Sequence, residues 1–312
     1  MAVYTPVSAE EMAVLLTHYD VGTLVSAKGI AEGVENSNFL IDTTSDRFIL
    51  TLYEKRVDEA DLPFFLALLD HLADHGLPVP RAVRDRAGAQ MQVVAGRPAC
   101  LIEFLPGVSV TTPNAAQAHA TGAALGNMHK ALADFGLSRP NSLGLAGWHL
   151  LAARCSDNLD SISPGLRKRV ADELLWLDAN WPHDLPQSVV HADLFPDNVL
   201  MRGDSVGGII DFYFACTDVR AWDLAVTHSA WSFANDGSGY RADIGDALIS
   251  GYDETYGLSD AERTAFPALA RGACLRFLLT RAWDWLNTPS DAIVTRKDPI
   301  AFLRRLDHYA AL

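Results

Sequence analysis

Two acidic residues and an amide, set close together in the second half of the chain, carry the chemistry that can be read from residue types. The run His191-Ala-Asp-Leu-Phe-Pro-Asp-Asn198 is followed by Ile209-Ile-Asp-Phe212. It places Asp193, Asn198 five residues later, and Asp211 after an apolar pair. Phosphoryl transfer needs such an inventory. One carboxylate takes the proton of an attacking hydroxyl, while an amide oxygen and a second carboxylate hold a divalent cation against nucleotide phosphates. In these terms Asp193 is the expected base, and Asn198 and Asp211 are the expected Mg²⁺ ligands, since oxygen donors suit this hard cation. His191 is expected to support the loop by hydrogen bonding. Asp197, beside the metal ligands, is a secondary candidate.

The elements around the motif must hold it still. Ser8-x-x-Glu11 is a capping box that opens a short helix with Met12, Leu15 and Leu16 on one face. Strands are expected at residues 23–27, 34–42 and 47–53. An amphipathic helix over residues 59–75 turns Leu62, Phe65, Leu66, Leu69 and Leu72 inward and stops at Gly76. Two further strands are expected at 90–94 and 98–104. Leu105-Pro-Gly107 reads as a hinge. Beyond it, helical patterns fill 114–135, 165–180, 221–233, 240–256 and 259–286, the last behind a second capping box, Ser259-x-x-Glu262. Short strands at 189–190, 199–201 and 207–210 interrupt them. The chemistry-bearing residues thus sit on loops carried by a helical scaffold, where catalytic groups are usually found.

Composition narrows the classes of function. The chain has 312 residues, 49% of them hydrophobic and 21% charged, which suits a globular protein large enough for two lobes. A formal net charge of −14 argues against broad nucleic-acid binding. Met1-Ala-Val-Tyr-Thr-Pro6 has neither a basic n-region nor an apolar h-region, so no secretory signal is expected. No apolar run approaches the roughly 18 residues of a membrane span. Cys100, Cys155, Cys216 and Cys274 are far apart, as expected of reduced core cysteines in a cytoplasmic protein rather than of disulfides or zinc ligands.

The spacing His-x-Asp-x-x-x-x-Asn with a downstream apolar-Asp-Phe is similar to the catalytic loop and metal aspartate of protein kinases. With five N-terminal strands, a hinge and a helical remainder, nearly the whole chain resembles the aminoglycoside-phosphotransferase-type, protein-kinase-like small-molecule kinases. Within that superfamily four strings resemble the kinase-fold homoserine kinases of threonine biosynthesis: Gly33-Val-Glu-Asn-Ser-Asn-Phe39, Phe48-Ile-Leu-Thr-Leu-Tyr-Glu-Lys55, Asp61-Leu-Pro-Phe-Phe65 and Asp211-Phe-Tyr-Phe-Ala215. The resemblance implies an α+β, two-lobed fold. Residues 1–105 would form an N-lobe with a five-stranded antiparallel sheet and a helix, and residues 106–312 a mainly helical C-lobe. It implies ATP and Mg²⁺ as cofactors, L-homoserine as the small-molecule acceptor, and no nucleic-acid or membrane partner. Choline, ethanolamine, methylthioribose and aminoglycosides are the acceptors of relatives with the same fold. A nucleotide-binding scaffold without turnover is the reading from a different class.

Several residues take their expected roles from this frame. Gly29-Ile-Ala-Glu-Gly33 would be the phosphate-covering turn, with Gly29 and Gly33 letting the backbone approach ATP and Asn38 contributing polar contact. Glu103 to Leu105 would hold adenine through the main chain. Asp223, in Trp222-Asp-Leu-Ala225, resembles a buried aspartate that braces the catalytic loop. Tyr213 is expected to face the acceptor pocket. Arg276 and Arg281, five residues apart on one helix, are candidates to read a substrate carboxylate through a planar guanidinium, or to be ordinary helix ion pairs. One departure stands out. Where a kinase has a strand-three lysine, alternation puts Thr51, which cannot supply the charge. Lys28, Lys55 and Arg56 are the basic residues left to replace it.

Overall fold

A computed structural model describes residues 5–30, 36–54, 58–288 and 296–312. By internal contacts the chain divides into two compact units. Unit 1 comprises Met1–Gly107 and Gly207–Tyr213, and unit 2 comprises Val108–Val206 and Phe214–Leu312. The change of unit falls at the last residue of the expected hinge, two residues after the lobe boundary expected at 105, and the segment carrying Asp211 and Tyr213 groups with unit 1.

Unit 1 starts with helix α1 (Ala9–Leu16), closed by the expected capping box: Glu11 N–H donates to Ser8 Oγ at 3.2 Å and Ser8 N–H to Glu11 Oε2 at 2.8 Å. Five strands follow, β1 (Leu24–Gly29), β2 (Ser37–Thr43), β3 (Arg47–Leu52), β4 (Gln92–Val94) and β5 (Arg97–Glu103), with helix α2 (Leu62–Asp74) between β3 and β4. They form one antiparallel sheet in the order β1-β2-β3-β5-β4. Alternation decides its faces. Phe39, Ile41, Phe48, Leu50, Leu52 and Leu101 point one way and join Met12, Leu15 and Leu16 of α1 in a core. The register Asn38↔Thr51↔Cys100 runs across the other face. α2 starts later than its apolar pattern does, because a 3₁₀ turn at Glu59–Asp61 precedes it and Pro63 fits the first helical turn.

Unit 2 is built from α3 (Ala115–Ala131), α4 (Leu145–Cys155), the single turn α5 (Leu159–Ile162), α6 (Leu166–Asn180), β6 (Gln187–Val190), β7 (Val199–Arg202), β8 (Ser205–Ile209, which carries the chain into unit 1), β9 (Cys216–Val219), α7 (Arg220–Trp231), α8 (Ala242–Thr255), α9 (Asp260–Asn287) and α10 (Ile300–Ala310). α7 is buried along its entire length and α9 from Ala268 through Leu279 apart from Arg271, so these two helices are the spine of the unit. β6 pairs antiparallel with β9, whose Cys216 lies opposite Val190. Four elements have no counterpart in the sequence reading, the single-turn α5 among them. α4 contains Gly147 and has no side-chain cap. α10 starts at Pro299 without one, and its buried stripe, Ala301, Phe302, Arg305, Leu306 and Tyr309, is interrupted by an arginine. β9 is four residues long with two polar positions. No described helix is long and apolar enough to cross a membrane.

Candidate active site

The loop after β6 is held by groups that the surrounding helices bring into an almost dry interior. Asp223, in the first turn of α7, is fully buried. Its Oδ2 accepts the His191 N–H at 2.7 Å and its Oδ1 the Ala192 N–H at 2.8 Å. His129 of α3 reaches the same carboxylate through Nε2 at 3.1 Å, and Tyr252 Oη of α8 lies 2.8 Å from His129 Nδ1. Burial alone would raise the Asp223 carboxyl. The His129 hydrogen bond, together with the His129 and His191 rings and the His191 amide, outweighs it and holds the group below the usual carboxylate range. Asp223 therefore stays an acceptor for two backbone donors at once.

The backbone held in this way is strained. Ala192 has φ +63° and Asp211 φ +65°, two of the three described non-glycine residues in the left-handed region. Such residues cost energy and persist where the surroundings over-determine them, often at functional sites. At Ala192 the surroundings are visible. Asp223 takes its N–H, and Arg276 Nη1 of α9 donates to its carbonyl. Arg276 is only 2% exposed, with its guanidinium against Trp222 and Phe277.

These anchors present the side chains of the motif. His191 is buried, and its Nδ1 accepts the Asp193 N–H at 3.2 Å. Trp231 Nε1 of α7 donates to the Leu194 carbonyl at 3.0 Å. Asp193 is half-buried. Asn198 closes the loop by donating its Nδ2 to the Asp193 carbonyl at 2.8 Å and to Asp193 Oδ2 at 3.3 Å. With that nitrogen committed to Asp193, the oxygen of Asn198 is the atom left to face a hard cation. The Asn198 amide thus orients a carboxylate, a group of the right type to accept a proton.

The two candidate arginines of α9, Arg276 and Arg281, have different surroundings. Arg276 sits inside the unit on the loop backbone, as a brace rather than a group turned to a ligand. Arg281 is half-buried, stacks over Phe302 at 4.5 Å, and donates Nη1 to the Asp298 carbonyl at 3.3 Å. Burial pulls its guanidinium down to about 10. Arg305 adds to this, and the Asp193, Asp197 and Asp298 carboxylates oppose it.

In unit 1 the strand-three position behaves differently from a lysine. Thr51 is buried and donates Oγ1 to Asn38 Oδ1 at 2.8 Å. Asn38 thus has its oxygen engaged and its NH₂ left for other contacts. Lys28 lies opposite Leu40, itself opposite Ile49, so it shares the sheet face of Asn38 and Thr51, and it is exposed. Gly29 ends β1. Gly33, Lys55 and Arg56 lie outside the described residues. The Glu103 N–H is spent on the Arg81 carbonyl at 2.9 Å, and Leu105 is half-buried just beyond β5. Asp211 is exposed and precedes a 3₁₀ turn, Phe212–Phe214, whose first residue is buried. Tyr213 packs edge-on against Tyr53 at 5.5 Å and Phe65 at 5.7 Å, with its Oη 3.4 Å from that of Tyr53. It is seated in aromatic packing of unit 1 and is half-buried.

The bracing roles of His129, Tyr252 and Trp231 went unread in the sequence. Each residue is a single polar-tipped ring inside an apolar helical pattern, and nothing in its spacing separates it from ordinary core.

Residues 26–258 match the phosphotransferase enzyme family. A homoserine kinase from Zymomonas mobilis subsp. mobilis (strain ATCC 31821 / ZM4 / CP4) is 58% identical over 311 residues, covering 99% of this chain and 97% of its own. A homoserine kinase from Xanthobacter autotrophicus (strain ATCC BAA-1158 / Py2) is 52% identical over 312 residues, covering 100% and 97%. Among solved structures, the amicoumacin kinase hAmiN in complex with AMP-PNP and Ca²⁺ has a TM-score of 0.72 at 16% identity over 96% of this chain and 92% of that one. A choline kinase from Cryptosporidium parvum Iowa II has a TM-score of 0.70 at 13% identity over 97% and 95%. These two show the protein-kinase-like fold.

Proposed function

This chain belongs to the phosphotransferase enzyme family, and we propose that it transfers the γ-phosphoryl group of ATP to the side-chain hydroxyl of L-homoserine. The products are O-phospho-L-homoserine and ADP, in a step of threonine biosynthesis. The observation that carries the reading is an anchored His191–Asn198 loop in a chain more than half identical, end to end, to a homoserine kinase.

Asp193 accepts the proton of the homoserine hydroxyl as the new O–P bond forms and the bond to the ADP oxygen breaks. It then returns the proton to solvent. No covalent enzyme intermediate is needed, because the protein's contribution is positioning. Asp223, Arg276 and Trp231 fix the loop backbone, and the Asn198 amide fixes the Asp193 carboxylate. Asn198, through the oxygen left over by Asp193, and Asp211, an exposed carboxylate, are oxygen donors of the type Mg²⁺ takes and would hold it. When bound, the ion neutralises phosphate charge. In unit 1, the Glu103 carbonyl and the Leu105 N–H are assigned to adenine, and Gly29, Gly33 and Asn38 to the phosphates. The charge absent at Thr51 comes from Lys28, Lys55 or Arg56. The setting is cytoplasmic.

Incubation with ATP, Mg²⁺ and L-homoserine, followed by phosphorus NMR of the products, tests the reading. A phosphomonoester on the homoserine side chain, formed in step with ADP, is expected. ATP consumption that leaves homoserine unmodified would overturn it.

A further inference from the structure

We propose that Arg281 and Asp197 form an opposed pair that reads the two charged ends of the acceptor, Arg281 its carboxylate and Asp197 its ammonium. The proposal rests on the homoserine reading and adds to it the residues that make an amino acid, rather than an amino alcohol or a hydroxy acid, the preferred acceptor.

The first observation is an imbalance of partners. Arg220 and Arg271 of unit 2 have carboxylate partners, and Arg305 has carbonyl acceptors on both terminal nitrogens. Arg220 meets Glu262 at 2.5 Å, Arg271 meets Glu173 at 2.7 Å, and Arg305 donates to the Ser229 and Ala234 carbonyls at 3.0 and 3.1 Å. Arg281 has a single long bond to a carbonyl and no ion pair among the described residues. A half-buried guanidinium left this way is costly unless a ligand completes it, and its planar fork suits a carboxylate.

The second observation is where this guanidinium is seated. It stacks on Phe302 of α10, and Phe302 packs against Phe277 at 5.0 Å and Phe195 at 6.1 Å, while Phe195 and Phe277 meet at 4.8 Å. Phe195 belongs to the catalytic loop, two residues after Asp193 and two before Asp197. The aromatic trio therefore ties the Arg281 helix to the loop segment that carries the base. Asp197 stands on the same segment, 64% exposed, with only a loose contact to Lys297 at 3.8 Å. An exposed pair at that distance is readily replaced by an ammonium arriving with substrate.

The test compares three acceptors on one enzyme: L-homoserine, 3-aminopropan-1-ol, which lacks the carboxylate, and 4-hydroxybutanoate, which lacks the ammonium. Arg281→Gln should raise KM for homoserine and 4-hydroxybutanoate roughly tenfold or more, while KM for 3-aminopropan-1-ol and for ATP stays within about twofold. Asp197→Asn should give the mirror pattern, raising KM for homoserine and 3-aminopropan-1-ol and sparing 4-hydroxybutanoate. Arg281→Lys should recover little, since lysine lacks the fork. Damage to folding would depress all three acceptors alike, so the crossed pattern is what a merely structural role cannot produce. Uniform or absent effects overturn the pair, as does the Arg281 pattern appearing in Lys297→Ala. A wild-type enzyme inert toward homoserine would sink the functional reading, whereas homoserine turnover with a flat Arg281→Gln pattern sinks only the pair.

Discussion

The catalytic loop of unit 2 and the Asn38–Thr51 face of unit 1 treat polar groups in opposite ways. Around residues 191–198, charged and ring side chains from three helices are buried to hold a strained main chain: His129 from α3, Asp223 from α7 and Arg276 from α9. On the unit 1 face, one neutral hydroxyl-to-amide bond spans β2 and β3, and the neighbouring strand β1 is exposed along most of its length. Burying charge costs several kcal/mol per ion unless it is fully hydrogen-bonded. That cost is accepted around the 191–198 loop. It is not incurred at strand three, where a neutral threonine bonds a neutral amide.

Substitutions can break this contrast, and the largest effects belong in the loop. Asp193→Asn keeps the shape but cannot take the proton. It should lower kcat by a factor on the order of 10² or more with ATP affinity kept, measured by steady-state turnover alongside nucleotide titration. Near-normal turnover would move the base elsewhere. Asp223→Ala should destabilise the protein by about 3–5 kcal/mol, because it strands two backbone donors and the His129 ring in the interior. Urea unfolding measures this, and a loss no larger than that of a surface substitution would contradict the bracing role.

Arg276→Lys sharpens the contrast within one helix. We expect kcat to fall roughly tenfold with both KM values within about twofold, since the residue acts on the Ala192 carbonyl and leaves binding groups in place. A rise in KM for homoserine without loss of kcat would instead return Arg276 to the carboxylate. On the unit 1 side, Lys28→Ala should raise KM for ATP several-fold and leave KM for homoserine unchanged. An unaffected ATP profile would pass the role to Lys55 or Arg56.

The smallest effect is a pH slope. Burial among Tyr309, Tyr240, Phe266 and His308 pulls His228 down to about 3 from its ordinary 6.5, with His308 adding to the shift. Its folded pKa lies below its unfolded one, so the unfolded chain binds the extra proton. The stability involved is present above about pH 6.5 and is lost as pH falls toward 3. The urea midpoint should drop between pH 7 and pH 5, a window above the range in which Asp223 is protonated. His228→Gln should flatten that drop.

What the sequence made legible follows from how local each signal is. The capping boxes at Ser8 and Ser259 and the inward face of α2 depend on near neighbours, and the structure has them where the pattern puts them. α10 escaped because Arg305 interrupts its apolar stripe, and that arginine is buried only through carbonyls at Ser229 and Ala234, over 70 residues away. The loop motif was legible because its chemistry lies within eight residues. Its supports were not, since His129 and Trp231 act through contacts 94 and 37 residues distant. The likeness of Arg276 and Arg281 in sequence conceals a difference made by packing: one lies on the loop backbone and the other stacks on Phe302.

The most direct test of the central claim is ADP release from the wild-type chain with ATP and Mg²⁺, measured with one acceptor at a time: L-homoserine, choline, ethanolamine, methylthioribose, an aminoglycoside, and none. The account predicts rapid release with L-homoserine, little with the others, and loss of the homoserine signal in Asp193→Asn. Release that is equal with and without homoserine, or faster with any other acceptor, would contradict it.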